Sequence, residues 1–277
     1  MLPIDSTYII KDCICGWYDL LGYGKPFVDS KWNLNDMRCY NNFERIKKLK
    51  IYFSVSLAAK VLGTKLSFND GFASTIDVDF TSVTGYNDVL LFLEGILNDF
   101  IAINHNDQQN GFPGVRGIIS FGQRFSYDDY DTSFDVVANK TYAYSPTEFQ
   151  MNTAFSKAFI MEESGSRANL CGNSLFIDLV LFNMLTEYAK ALGYQTPKVE
   201  KSDTRLIISF FNKNGWFADI IMDQTEYPYG KSDKYNNRGI ETTLYRFISI
   251  RSIIDEYANK AQRLQSYRYS LITDEEE

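Results

Sequence analysis

A chain of 277 residues with 45% hydrophobic and 23% charged residues, 21 Phe and 19 Tyr among them, has the apolar surface for a large core, which excludes disorder over most of its length. Its 28 basic against 35 acidic residues leave a net charge of −7, which excludes nucleic-acid binding through a basic footprint. Glu94, Asp99, Asp178 and Arg251 interrupt the apolar runs before the ~18 residues of a membrane span, and the N-terminus lacks a leader pattern, so the expected location is the cytoplasm with no membrane partner.

Tyr8 to Asp19 is dense in β-branched and aromatic residues and runs into a glycine-punctuated stretch, which predicts a buried strand and a tight loop. From Asn42 to Leu62, Phe43, Ile46, Leu49, Phe53, Leu57 and Val61 recur at spacings of three and four and predict a helix. The basic cluster Arg45, Lys47, Lys48 and Lys50 reads as its solvated face. Two β-rich stretches then flank Asn69-Asp70-Gly71, a strong hairpin signal. A second helix is expected from Asn87 to Ile103, capped by Asn87 or Asp88, with a polar loop around His105. A strand over Val115 to Phe125 and an irregular polar stretch to Lys140 follow. Helices are expected over Phe149 to Ser164 and Leu175 to Leu192, then a hairpin about Asn214-Gly215, a helix from Glu241 to Leu264 and a frayed acidic tail.

This order predicts an α+β fold: a βαββαβ, ferredoxin-like core with an antiparallel-centred sheet and helices on one face. Residues 1–195 would form that core, and 196–277 a C-terminal hairpin-helix extension packed on it.

One histidine, His105, leaves little room for His-based nucleophilic catalysis. Cys13, Cys15, Cys39 and Cys171 have no zinc-site spacing and read as reduced apolar thiols, so a metal would be held by carboxylates. Asp19 ends the first strand and Asp70 tips the hairpin beside it, so the topology brings both to one sheet edge. Taken singly, one is an ordinary turn residue and the other an ordinary hairpin. Together they repel unless a cation bridges them, and all-oxygen ligation suits Mg2+ or Mn2+. The amides of Gly22, Tyr23 and Gly24 would then face phosphate oxygens.

WYDLLGYG resembles the F-x-D-x-x-G-F element of class III nucleotidyl cyclases. FNDGFA resembles their G-D-G-F-x-A element with Asn69 at the first glycine, GVRGIISFG their R-I-G-V-H-T-G strand, and FQMNTAFSKAFIMEES their V-N-x-A-x-R-L-E-S helix. In order, these cover residues 8–165, and their variants are nearest to the bacterial pyrimidine cyclases of antiphage (Pycsar) defence. The resemblance implies a class III cyclase-type fold with 1–195 as catalytic domain, acting as a homodimer with active sites at the interface. Asp19, Leu20 and Asp70 would hold two Mg2+ or Mn2+ ions in one protomer, and the 149–164 helix would come from the other. The 3′-oxygen of a nucleoside triphosphate would attack its own α-phosphorus and pyrophosphate would leave. The cyclic product would signal to a cyclic-nucleotide-binding effector, with no nucleic-acid partner.

Three departures refine this. Where the family has Asn and Arg, the helix offers Asn152 and Ser156 in one register and Ser156 and Ile160 in the other, leaving Lys157 or Arg167 as a substitute donor, with Lys157 about 140° around the helix from Asn152. The position four residues before Asp70, a lysine in adenylate cyclases, is Leu66, and Lys65 points to the other face. That favours UTP or CTP in a small aromatic pocket. Arg116 precedes Gly117 directly and joins Gly22, Tyr23, Gly24 and Leu66 as the expected substrate contacts. The alternatives are an adenylate or guanylate cyclase of the same fold, or a catalytically silent dimer binding a nucleotide or a partner.

Overall fold

The computed structural model describes residues 8–55, 63–79, 81, 83–127, 134–136, 141–143 and 147–253. Its first long strand is β1 (Tyr8–Leu20), whose pleat sorts side chains to two buried faces: Ile14, Tyr18 and Leu20 to one, Cys13, Cys15 and Trp17 to the other. β3 (Gly71–Val78) and β4 (Val115–Tyr127) flank β1, both antiparallel. β2 (Thr64–Phe68) closes that edge through a two-residue turn, Asn69-Asp70, in which Asn69 takes the left-handed conformation at φ 54°.

The first face is covered by α2 (Met37–Val55) and α3 (Val83–Gln109), with the five-residue α1 (Lys25–Asp29) leading in. α2 starts five residues before the expected Asn42, and its expected end lies outside the described residues. α3 begins early enough that Asn87 and Asp88 lie inside it rather than capping it, and His105 lies on its last turns rather than in a loop.

After β4 come a small hairpin, β5 (Phe134–Val136) with β6 (Thr141–Ala143), and then α4 (Thr153–Glu163). α4 packs on the second face, against β1 and β4, so the helices are not confined to one side. The apolar run from Leu175 does not open a helix. It is β7 (Leu175–Asp178), ended by the Asp178 side chain capping α5 (Leu179–Ala191) through Val180 N–H at 3.0 Å. A strand of three apolar residues leading into an equally apolar helix cannot be told from its first turn by periodicity.

β8 (Lys198–Lys201), β9 (Arg205–Asn212) and β10 (Gly215–Glu226) follow, the last two forming the expected hairpin. The expected helix from Glu241 is wrong over the described residues: β11 (Tyr235–Asn237) pairs with β12 (Ile240–Thr242), and β13 (Leu244–Ser252) joins β10 and β7. Its β-branched and aromatic residues suit a pleated surface. The remainder of that expected helix and the acidic tail lie outside the described residues. The result is α+β, with one nine-stranded sheet in the order β2-β3-β1-β4-β7-β13-β10-β9-β8, antiparallel except at β4–β7. Over the described residues, the chain from 196 adds β8, β9, β10 and β13 to the sheet that also holds β1 to β4 and β7.

Candidate functional site

The C-terminal end of β1 places Asp19 opposite Gly71 on β3 and opposite Arg116 on β4. The next residue, Leu20, donates its N–H to the Asp70 carbonyl at 3.0 Å, which ties the hairpin turn to the end of β1. Gly71 is required there, since a Cβ would stand 1.8 Å from Cη2 of Trp17. Asp19 and Asp70 therefore share one rim of the sheet, as expected from the sequence. Among the described residues, neither carboxylate accepts a hydrogen bond or forms an ion pair, so neither is an ordinary turn-bonding aspartate.

A third carboxylate reaches the rim from α4. Glu162, its side chain 7% exposed, accepts from Arg116 Nε at 2.7 Å and Nη2 at 2.5 Å on the same oxygen, Oε1. Arg116 Nη1 donates to the Leu170 carbonyl at 3.1 Å. Burial pushes Asp19 up to about 7, helped by the negative charges of Glu162 and Asp70 and opposed by Arg116 and Arg45. Burial also raises Glu162, with Arg116 pulling the other way. Glu162 is the residue that sequence reasoning passed over. The available signal was a carboxylate beside the inward stripe of Ala154, Ala158 and Met161 on α4.

Behind the rim, Arg45 is buried rather than solvated. Its Nε and Nη2 each bind Asp107 at 2.7 Å, and Nη2 also donates to the Leu21 carbonyl at 3.1 Å. Asp107 in turn accepts from Gly114 N–H at 2.9 Å, so one ion pair holds the loop after Asp19 and the segment that leads into β4. Gly22 sits at φ 72° in the first of these loops. The Tyr23 amide is not available to phosphate, because it donates to the Leu20 carbonyl at 3.3 Å. Among the described residues, the amides of Gly22 and Gly24 have no such partner.

The other expected residues lie elsewhere. Asn152 is 1% exposed and caps α4, its Oδ1 accepting from Phe155 N–H at 2.8 Å while Nδ2 donates to Glu148 O at 2.8 Å and Thr75 Oγ1 at 3.2 Å. Thr75 opposes Cys15, four residues up β1 from Asp19, or about 13 Å at the usual strand rise. Ser156 Oγ donates to the Asn152 carbonyl at 3.0 Å and Lys157 Nζ to the Phe121 carbonyl at 3.3 Å. Within one chain, then, Asp19, Leu20, Asp70 and Arg116 come together with Glu162, and Asn152, Ser156 and Lys157 stand apart on the other half of α4. Leu66 packs half-buried on the α4 face, whereas Lys65 points to the opposite one and pairs with Asp99 at 2.7 Å.

No three His, Cys, Asp or Glu side chains among the described residues form a ready-made metal cage. The donor chemistry still suits Mg2+ or Mn2+, which are commonly held by one or two carboxylates with water and substrate phosphates completing the shell. Asp19 and Asp70 would be the protein's contribution.

No family model and no curated protein matches the chain. Among solved structures, the adenylyl cyclase CyaB from P. aeruginosa is similar at 10% identity and a TM-score of 0.44, over 87% of this chain and 96% of that one. The guanylyl cyclase Cya2 is similar at 12% identity and a TM-score of 0.40, over 88% and 94%. The dimeric guanylyl cyclase domain of the RhoGC fusion protein from the aquatic fungus Blastocladiella emersonii gives 9% identity and a TM-score of 0.42, over 88% and 99%. With TM-scores below 0.5, the meaning of the site rests on its own residues.

Among the described residues, no helix is long and apolar enough to cross a membrane.

Proposed function

We propose that this chain is a divalent-cation-dependent nucleotidyl cyclase that converts UTP or CTP to a 3′,5′-cyclic mononucleotide and pyrophosphate. The observation that carries the reading is the rim itself: Asp19 and Asp70 lie at one sheet edge without hydrogen-bond or ionic partners among the described residues, and Asp19 is raised to about 7 by burial and by its acidic neighbours. Such a pair is relieved by a cation. Bound there, Mg2+ or Mn2+ would lower the pKa of the ribose 3′-hydroxyl and offset the charge of the triphosphate.

The chain's own residues supply the rest. Asp19 and Asp70 hold the cations beside the Leu20 main chain, the amides of Gly22 and Gly24 present donors to phosphate oxygens, and the ion pair of Arg45 with Asp107 keeps that loop in place. Leu66, in the position of a base-reading lysine, supports a pyrimidine over adenine. Because Ser156 and Lys157 stand away from the rim in one chain, a second copy would have to bring that half of α4 to it for them to reach the substrate. That requirement supports a homodimer. A role as a signal generator in antiphage defence, acting through a cyclic-nucleotide-binding effector in the cytoplasm, follows from the motif variants.

The test supplies Mn2+ with UTP, CTP, ATP or GTP in separate reactions and identifies the product by mass spectrometry. A cyclic pyrimidine nucleotide is expected, lost in Asp19→Asn and Asp70→Asn with dimerisation unchanged. A cyclic purine product would move the chain to the adenylate or guanylate reading. No product from any triphosphate would leave the silent dimer, which one observation favours: Ser156 and Lys157 are both bonded to backbone of their own chain.

A further inference from the structure

Arg116 stands directly opposite Asp19 in the β1–β4 ladder, on the same face of the sheet. Opposed residues of an antiparallel pair have Cβ atoms about 5 Å apart, the separation from which cross-strand ion pairs form. This guanidinium does not make that pair. It reaches instead to α4, giving two N–H donors to Glu162 Oε1 and a third to the Leu170 carbonyl.

We infer that Glu162 is a positioning residue that holds Arg116 off Asp19 and so keeps the Asp19 carboxylate open to a divalent cation; this rests on the cation reading of Asp19 and Asp70 given above. Two features support the hold. α4 is pinned to β4 at its start, where Ser120 Oγ donates to Ala154 O at 2.6 Å and Thr153 Oγ1 exchanges hydrogen bonds with the Gln123 main chain at 2.7 and 2.9 Å, and Ala158 and Met161 keep the half that carries Glu162 packed on the sheet. Beyond α4, Gly165 turns the chain at φ 50° into the 3-10 turn Gly165–Ala168, which returns the Leu170 carbonyl to the third guanidinium nitrogen. With the charge of Glu162 removed, the carboxylate facing Arg116 is Asp19. An arginine bound there would compete with a cation for the same oxygens.

The test measures Mn2+ affinity by calorimetry, without nucleotide, for the wild-type chain, Glu162→Gln, Arg116→Gln and the double variant. Glu162→Gln is expected to weaken Mn2+ binding by about tenfold, the scale seen when a group supporting a metal ligand is lost. In the Arg116→Gln background, the same change is expected to matter by less than about threefold. An equal loss in both backgrounds would make Glu162 a ligand or a plain source of charge and would overturn the inference, as would wild-type affinity in Glu162→Gln. Glu162→Met, which keeps the packing volume, carries the same expectation if the glutamine variant does not fold. A wild-type chain that binds no Mn2+ overturns the cation reading itself. The crystal structure of Glu162→Gln then decides the inference alone: Arg116 on Asp19 supports it, and Arg116 still on residue 162 overturns it.

Discussion

Arg45 and Asp107, 62 residues apart in sequence, meet in a buried ion pair with side chains 2% and 0% exposed, and together they bind the main chain just after β1 and just before β4. Removing one partner of such a pair leaves an uncompensated buried charge. Asp107→Asn should therefore destabilise the chain by about 3–5 kcal/mol, read from urea unfolding, and should lower activity by loosening the loop of Gly22.

The raised Asp19 gives a pH dependence with a definite sign. In the unfolded chain this carboxyl ionises near its ordinary value; in the folded chain it holds its proton to about pH 7. The folded state therefore binds more protons between those limits, and the contribution of Asp19 to stability falls as pH rises through that window. Urea midpoints of the wild type and Asp19→Asn, compared from pH 4 to 8, should converge at the acidic end and separate towards pH 8 with the variant more stable. Mn2+ should narrow the gap at the alkaline end, because it binds the ionised form.

Gly71→Ala should be costly although the change is one methyl group. Its Cβ would meet the Trp17 indole, itself packed edge-on against Phe155 and Phe159 with ring centroids at 5.6 and 5.7 Å. Overpacking of this kind costs about 1–3 kcal/mol. Because Gly71 follows Asp70, thermal unfolding and cyclase activity should fall together.

Asn152→Ala separates structure from chemistry. The side chain caps α4 and bonds three further groups, Thr75, Glu148 and Cys13, so its loss should cost about 2 kcal/mol. Mn2+ affinity should stay unchanged, since Asn152 lies ten residues before Glu162, about 15 Å along the helix. Calorimetric titration of the variant checks this.

The elements that could be read in advance were those whose pattern has a single solution. β1 is dense in β-branched and aromatic residues, the turn at Asn69-Asp70 has its own chemistry, and the two aspartates followed from the topology that joins them. β13 was misread because Leu244, Phe247 and Ile248 also fall at helical spacing, and its choice of strand depends on β7 and β10 being there to pair with. Arg45 was misread because it lies one turn before Leu49 on the inward side of α2, and its partner Asp107 is fixed only by tertiary packing. Glu162 escaped for the same reason: the arginine that satisfies it is on a strand 46 residues earlier.

Among the described residues the nine-stranded sheet has a single parallel joint, β4–β7. A parallel joint needs a crossover, and here the crossover contains α4. Arg116 lies on one side of that joint, and Glu162 and Leu170 lie on the connecting chain. The act of splicing the two halves of the sheet is thus the act that draws Glu162 onto Arg116. An intermediate with only β1 to β4 paired would hold both aspartates at its rim, and its arginine would still be free to neutralise one of them.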